Sequence, residues 1–180
     1  MPLGEFVFTR VLDDLDRFSD AFRGLGVAVN TSARQVAESD FAGFVASHLE
    51  RTDLLDRISI ELTESAMVQA FGSMRRQIDE LRGSGVPVGV DDFGTGYATL
   101  ASVRALPCDF IKIDSTFVER VAEDPTDRAI VSSVLALASG LGLDVIAEGI
   151  ETEEQRAALI DLGCSRGQGC LLYTSDAADD

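Results

Sequence analysis

Val86-Pro87-Val88-Gly89-Val90-Asp91-Asp92-Phe93-Gly94-Thr95-Gly96-Tyr97 is a short β-branched run that stops at two adjacent carboxylates and gives way to a glycine-punctuated loop. That is the pattern of a buried strand delivering acids to the rim of an α/β protein. Side chains alternate along a strand, so Val88 and Val90 share one face, Gly89 and Asp91 share the other, and Asp92 falls just past the strand end. One face packs and the other carries chemistry. Taken alone, the two aspartates read equally well as turn-capping residues. Recurrence of the same arrangement elsewhere in the chain favours chemistry.

Upstream, Phe6, Val7, Val11, Leu12, Leu15, Phe18 and Phe22 recur at three- and four-residue steps, which predicts a helix over 6–26, ended by Gly24 and Gly26. A short strand follows at 27–30, Thr31-Ser32 can cap what comes next, and a second helix is expected over about 38–51 through Phe41, Phe44, Val45 and Leu49. Residues 58–64 form a strand with Ile58, Ile60 and Leu62 on one face and Ser59, Glu61 and Thr63 on the other. A long helix from about Ala66 closes at Gly83-Ser84-Gly85.

Downstream, a short helix through Leu100, Val103 and Leu106 ends before Pro107, and 110–114 is a fourth strand with Lys112 out of phase with Ile111 and Ile113. An apolar helix over about 127–141 ends at Gly140 and Gly142, and 143–149 is a fifth strand. Thr152 and Gln155 form a capping box for a helix ending at Gly163, and a last short strand centres on Gly167-Gln168-Gly169. Six strands alternating with helical pattern mean parallel βαβ units.

Asn30, Glu61, Asp91, Lys112, Glu148 and Gln168 each lie at or near the C-terminal end of one of these strands. Small residues, Ala28, Ser59 and Gly89, stand two positions behind the first three. A (β/α) barrel gathers such residues at its C-terminal rim, so the predicted fold class is α/β, a TIM-type barrel. The runner-up is an open doubly wound sheet, but it would not converge six strand ends on one point, and no GxGxxG or P-loop pattern is present.

Composition narrows the chemistry. Thirty-one acids against fifteen Lys and Arg give a net charge of −16, which argues against a DNA or RNA polymer as partner and means that an anionic ligand needs cations beside it. With His48 the only histidine and three cysteines, Cys108, Cys164 and Cys170, lacking CxxC spacing, neither a zinc cluster nor a His-based triad is expected. The cysteines suit free thiols in the cytoplasm, and neither a signal peptide nor a membrane span is apparent.

Asn30, Glu61, Asp91, Asp92 and Glu148 offer only oxygen donors, the preference of Mg²⁺ or Mn²⁺. Two such ions about 3.5–4 Å apart, bridged by Asp91 with Asp92 on the second, would serve a phosphodiester displacement. Lys112 among the carboxylates would orient or deprotonate the attacking water. Glu64 and Glu151 read equally well as ligands or as structural acids, either loop anchors or helix-start residues favoured by the dipole. His48 reads as a surface residue, and Phe93 and Tyr97 as loop packing.

At these residues the chain resembles the EAL-domain family, bacterial signalling hydrolases that linearise cyclic di-GMP. Six segments carry the resemblance, in order: 29–35 (Val-Asn-Thr-Ser-Ala-Arg-Gln), 61–65 (Glu-Leu-Thr-Glu-Ser), 91–97 (Asp-Asp-Phe-Gly-Thr-Gly-Tyr), 111–114 (Ile-Lys-Ile-Asp), 147–152 (Ala-Glu-Gly-Ile-Glu-Thr) and 167–169 (Gly-Gln-Gly). The resemblance implies a Mg²⁺- or Mn²⁺-dependent phosphodiesterase on a modified TIM barrel that opens one phosphodiester to give linear pGpG. By position it implies Asn30, Glu61, Asp91, Asp92 and Glu148 as metal ligands and Lys112 as the residue acting on water, with Gln168 lining the site. It also implies that Glu64 holds the Asp-Asp-Phe-Gly loop, and that this loop contributes to a homodimer.

The family begins with two further strands, the second carrying a Glu-Ala-Leu signature whose glutamate binds metal, and this sequence has no such tripeptide. The expectation is therefore an N-terminally truncated copy, an incomplete barrel holding the last six of eight strands over 1–169, with unpaired edges and impaired turnover. Residues 170–180 depart from the family pattern and are expected to be a non-native or disordered tail. The competing functions are a catalytically silent cyclic di-GMP receptor and a pure dimerisation scaffold. The second would not require inward-facing carboxylates.

Overall fold

Five strands, β1 (Val27–Asn30), β2 (Ile58–Thr63), β3 (Val88–Phe93), β4 (Phe110–Ile113) and β5 (Asp144–Ala147), pair in parallel in the order of the chain. The computed structural model describes residues 3–18, 25–38, 40–49, 54–70, 72–96, 103–104 and 106–175. Nine α-helices and a short 3-10 helix (Leu55–Arg57) accompany the strands among these residues: α1 (Leu3–Arg17), α2 (Ala33–Glu38), α3 (Phe41–Leu49), α4 (Glu64–Val68), α5 (Ser73–Gly83), α6 (Ser115–Val118), α7 (Pro125–Leu141), α8 (Glu153–Asp161) and α9 (Cys170–Ser175). A sixth position in the sheet is held by a single parallel bridge between Ala147 and Gly167, which the Ala147 N–H and the Gln168 N–H support by donating to Arg166 O and Ala147 O.

The strands form because their aliphatic residues have somewhere dry to go. Ile60, Leu62, Val88, Val90, Ile111 and Ile113 are fully buried, each worth about 1.5–3 kcal/mol relative to exposure. They bury beneath the helices, and the opposite phase is left for polar groups. Strand order runs without the reversal that defines a doubly wound sheet, and side chains from β2, from β3 and from Glu148 just after β5 all reach one residue of β4. The architecture is an α/β fold, an incomplete TIM-like barrel. Below the rim Gly89 has no side chain because the Phe110 ring lies against it, and a methyl group there would collide with that ring.

Several helix boundaries differ from the sequence-based expectation, each for a local reason. Residues 33–49 hold two helices where one was expected over 38–51. Ser32 and Gln35 cap each other reciprocally at the start of α2, and Asp40 accepts from the Gly43 N–H at the start of α3. The expected single helix from Ala66 to Gly83 is broken into α4 and α5 by Gly72, whose φ of +58° suits glycine and not a helix interior. Helix α1 begins at Leu3 and buries Phe8, Leu12 and Leu15, while Phe6, Val7 and Phe18 of the predicted stripe are exposed. Phe22 and Gly24, Tyr97 and Leu100 lie outside the described residues. The Thr152–Gln155 capping box is present, and Asp124 with Pro125 starts α7. Past Gly169 the chain continues as α9, with Leu171 and Leu172 packed against the core cluster of Ile113, Ala147 and Ile150.

Candidate functional site

Each polar residue reaches the rim through strand register. Asn30 pairs with Glu61 and Thr63 with Asp91, while Lys112 pairs with Ile146 one residue before the end of β5. Between β3 and β4 the ladder slips: Val90 faces Ile111 but Phe93 faces Ile113, so Asp91 and Asp92 together oppose Lys112. This is a bulge, and within it Asp92 has a φ of +54°. Asp92 thus lies inside β3, not beyond its end as alternation predicted. The extra residue cancels the alternation and lets two consecutive aspartates face one place.

The centre is Lys112. Its Nζ lies 2.9 Å from Glu61 Oε2, 3.1 Å from Asp91 Oδ1 and 2.6 Å from Glu148 Oε1. Only 5% of the Lys112 side chain and 4% of that of Glu61 are exposed, so this is a buried cluster of three acids on one base. One oxygen each from Asp91, Asp92 and Glu148 lie within 4.8 Å of one another. Gln168 Nε2 donates to Glu148 Oε1 at 2.8 Å, tying the sixth strand position to the fifth. Glu64, buried as the first residue of α4, accepts the Gly94 N–H at 2.8 Å, and a side chain on Gly96 would meet its carboxylate.

Two expected members stand apart. Asn30 is exposed at the end of β1 beside Glu61, and Glu151 is exposed in the loop before α8, where its N–H donates to Gln155 Oε1. A cleft of about 740 Å³ opens next to Asn30, bounded by Phe8, Val29 and Gln35.

Electrostatics follow from crowding. Burial raises the Glu61 and Glu148 pKa values, and the hydrogen bonds and charge of Lys112 pull back only part of that rise. Burial and then the neighbouring Asp91 raise Asp92. For Lys112, burial works to lower the pKa, but its hydrogen bonds to Glu148 and Glu61 outweigh it and the net shift is upward. Three carboxyl groups thus face a single amine. An all-oxygen donor set with surplus negative charge fits a hard divalent cation, so Asp91, Asp92 and Glu148, with Glu61 and Asn30 adjacent, are the residues that would hold it.

Sequence reasoning located these residues and set Lys112 among the carboxylates, but missed two features. They are the bulge, which comes first, and the Gln168–Glu148 hydrogen bond. A repeated Asp at the end of a β-branched run is the signal that could have revealed the first.

Comparison with known proteins points the same way. Residues 1–174 match the EAL domain family. The chain is 40% identical over 174 residues to the bifunctional diguanylate cyclase/cyclic di-GMP phosphodiesterase MucR of Pseudomonas aeruginosa, covering 96% of this chain and 25% of that protein. The chain thus spans about a quarter of the length of the curated relatives it matches, 28% in the mycobacterial ones. Its backbone resembles the crystal structure of the EAL domain of Mycobacterium smegmatis DcpA, with a TM-score of 0.87 and 36% identity, covering 96% of this chain and 78% of that one. It also resembles the manganese/cyclic di-GMP complex of Klebsiella pneumoniae BlrP1, with a TM-score of 0.82 and 29% identity over 93% of this chain and 44% of that one. Since sequence and backbone agree over nearly every residue of the barrel arc, the chain belongs to the EAL domain family.

Proposed function

We propose that this chain is the catalytic part of a cyclic di-GMP phosphodiesterase that opens one phosphodiester to give linear pGpG with two Mg²⁺ or Mn²⁺ ions. The observation carrying this reading is the meeting of Lys112 with Glu61, Asp91 and Glu148 beside the Asp91, Asp92 and Glu148 oxygen group. Relatives named as cyclic di-GMP phosphodiesterases, among them PdeR of Escherichia coli, support the substrate class. Asp91, Asp92 and Glu148, with Glu61 and its register neighbour Asn30 beside them, would hold the ions. When bound, such ions acidify water and neutralise charge gathering on phosphate oxygens.

The chain's own groups do the rest. Lys112 Nζ, in contact with Glu61, Asp91 and Glu148, orients the attacking water, and its charge offsets the transition state. A carboxylate of the cluster takes the water's proton. Gln168 Nε2 fixes Glu148 through a hydrogen bond, and Glu64 keeps the loop after Asp92 closed through Gly94. The loop from Phe93 onward is also the proposed homodimer contact.

A second reading is a cyclic di-GMP receptor without turnover. Incubating the full-length protein with cyclic di-GMP and Mn²⁺, and separating products by chromatography, tests both readings. Metal-dependent pGpG that disappears in Asp91→Asn supports the enzyme; tight binding without product supports the receptor.

A further inference from the structure

We propose that Lys112 is the site's internal counter-ion, and that it competes with divalent cations for the charge of Glu61, Asp91 and Glu148. This rests on the metal reading above and adds a second role to the residue that orients water. The geometry is specific. The ammonium is the one basic group in contact with this cluster among the described residues, and it touches carboxylates from β2, from β3 and from Glu148 just after β5 at once, at 2.6–3.1 Å.

Two of these carboxylates, Asp91 and Glu148, belong to the oxygen group suited to a cation. Glu148 Oε1 already receives two donors, Lys112 Nζ at 2.6 Å and Gln168 Nε2 at 2.8 Å. A buried cluster of like charges repels itself unless compensated, and breaking a buried pair by removing one partner is strongly unfavourable. Lys112 supplies that compensation and holds the three strand ends together before any ion arrives. A cation entering later meets a site already partly neutralised. The cluster thereby exchanges some cation affinity for an intact rim in the metal-free protein.

The test is a Mn²⁺ titration of the full-length protein, purified metal-free and followed by electron paramagnetic resonance, with thermal unfolding measured in parallel. Lys112→Met removes charge and donor together; Lys112→Gln removes the charge but keeps an N–H donor. Both variants are expected to bind Mn²⁺ roughly tenfold tighter or more, since a unit charge some ångströms away opposes the ion through a partly buried medium. Both should melt lower than the wild type without metal and gain more from saturating Mn²⁺. Unchanged or weaker Mn²⁺ binding in both variants overturns the proposal, as does weaker binding in Lys112→Met with none lost in Lys112→Gln, which marks a positioning donor only. If a variant is unfolded without metal, refolding on Mn²⁺ addition at concentrations below those that half-saturate the wild type supports it, and failure to refold overturns it. Absence of saturable Mn²⁺ binding in the wild type is a different failure, that of the metal reading itself.

Discussion

The rim and the floor of the barrel both pair acids with bases, and they do so in opposite ways. At the rim one lysine serves three carboxylates, with the Lys112 and Glu61 side chains buried and those of Asp91 and Glu148 15% exposed. At the floor the pairing is one to one. Arg82 takes Asp109 through three N–H···O contacts of 2.8–3.1 Å, with side chains 35% and 38% exposed, and Arg166 takes the exposed Asp144 at 2.9 Å. Asp109 also accepts the Val88 N–H, so the floor pair ties the start of β3 to the start of β4. Matched, wet pairs close a barrel and contribute little each. An unmatched, dry cluster is unfavourable for folding and makes sense where a cation will come.

Asp91→Asn is the strongest way to break this contrast. It removes a rim charge that the floor can spare but the rim cannot. Hydrolysis by the full-length protein should fall roughly 10³-fold, several kcal/mol of transition-state stabilisation, with the fold intact by circular dichroism.

Next in size is an alkaline effect that separates the ends. Burial pushes the Cys108 thiol at the floor up to about 11 from 9.0, with nearby Arg82 opposing the shift. As pH rises from 9.0 the unfolded chain releases this proton while the folded chain keeps it, so stability is full below 9.0 and is lost toward about 11. The loss amounts to about 2–3 kcal/mol. The rim has the same sign but starts later, because Lys112 is raised above 10.5 and its contribution goes only beyond that pH. Denaturant midpoints of the wild type and Cys108→Ala across this range should diverge from pH 9 and not from pH 10.5.

Gly89→Ala probes the layer between the ends. Its new methyl would meet the Phe110 ring, and overpacking of this kind costs about 1–3 kcal/mol, measurable by urea unfolding. Adding Phe110→Leu should recover most of it. The smallest change is Arg82→Met at the floor, below about 1 kcal/mol because the pair is a third exposed and Asp109 keeps its bond to Val88. A loss comparable to that from Gly89→Ala would erase the distinction drawn between rim and floor.

Sequence patterns carried the parts governed by periodicity and punctuation. Ile58, Ile60 and Leu62 alternate against Glu61, and Thr152 with Gln155 writes the start of α8 in four letters. What they could not carry is set by contacts between distant residues. Nothing near Lys112 in the chain announces that Glu61, 51 positions earlier, and Glu148 will share its ammonium. The stripe Phe6, Val7 and Phe18 looked inward because apolar spacing does not say how wide a helix face its neighbours cover. Leu171 and Leu172, in the segment expected to be a tail, pack against the core cluster of Ile113, Ala147 and Ile150.

The bulge in β3 divides labour between two neighbours that look alike. Asp91 is held by its carboxylate, whereas Asp92 is held also by its backbone, since few residues other than Gly, Asn and Asp sit comfortably at a φ of +54°. A lineage that abandoned catalysis would be free to replace the first with almost anything small. At the second it should drift only toward asparagine or glycine, leaving a shape fossil of the lost chemistry.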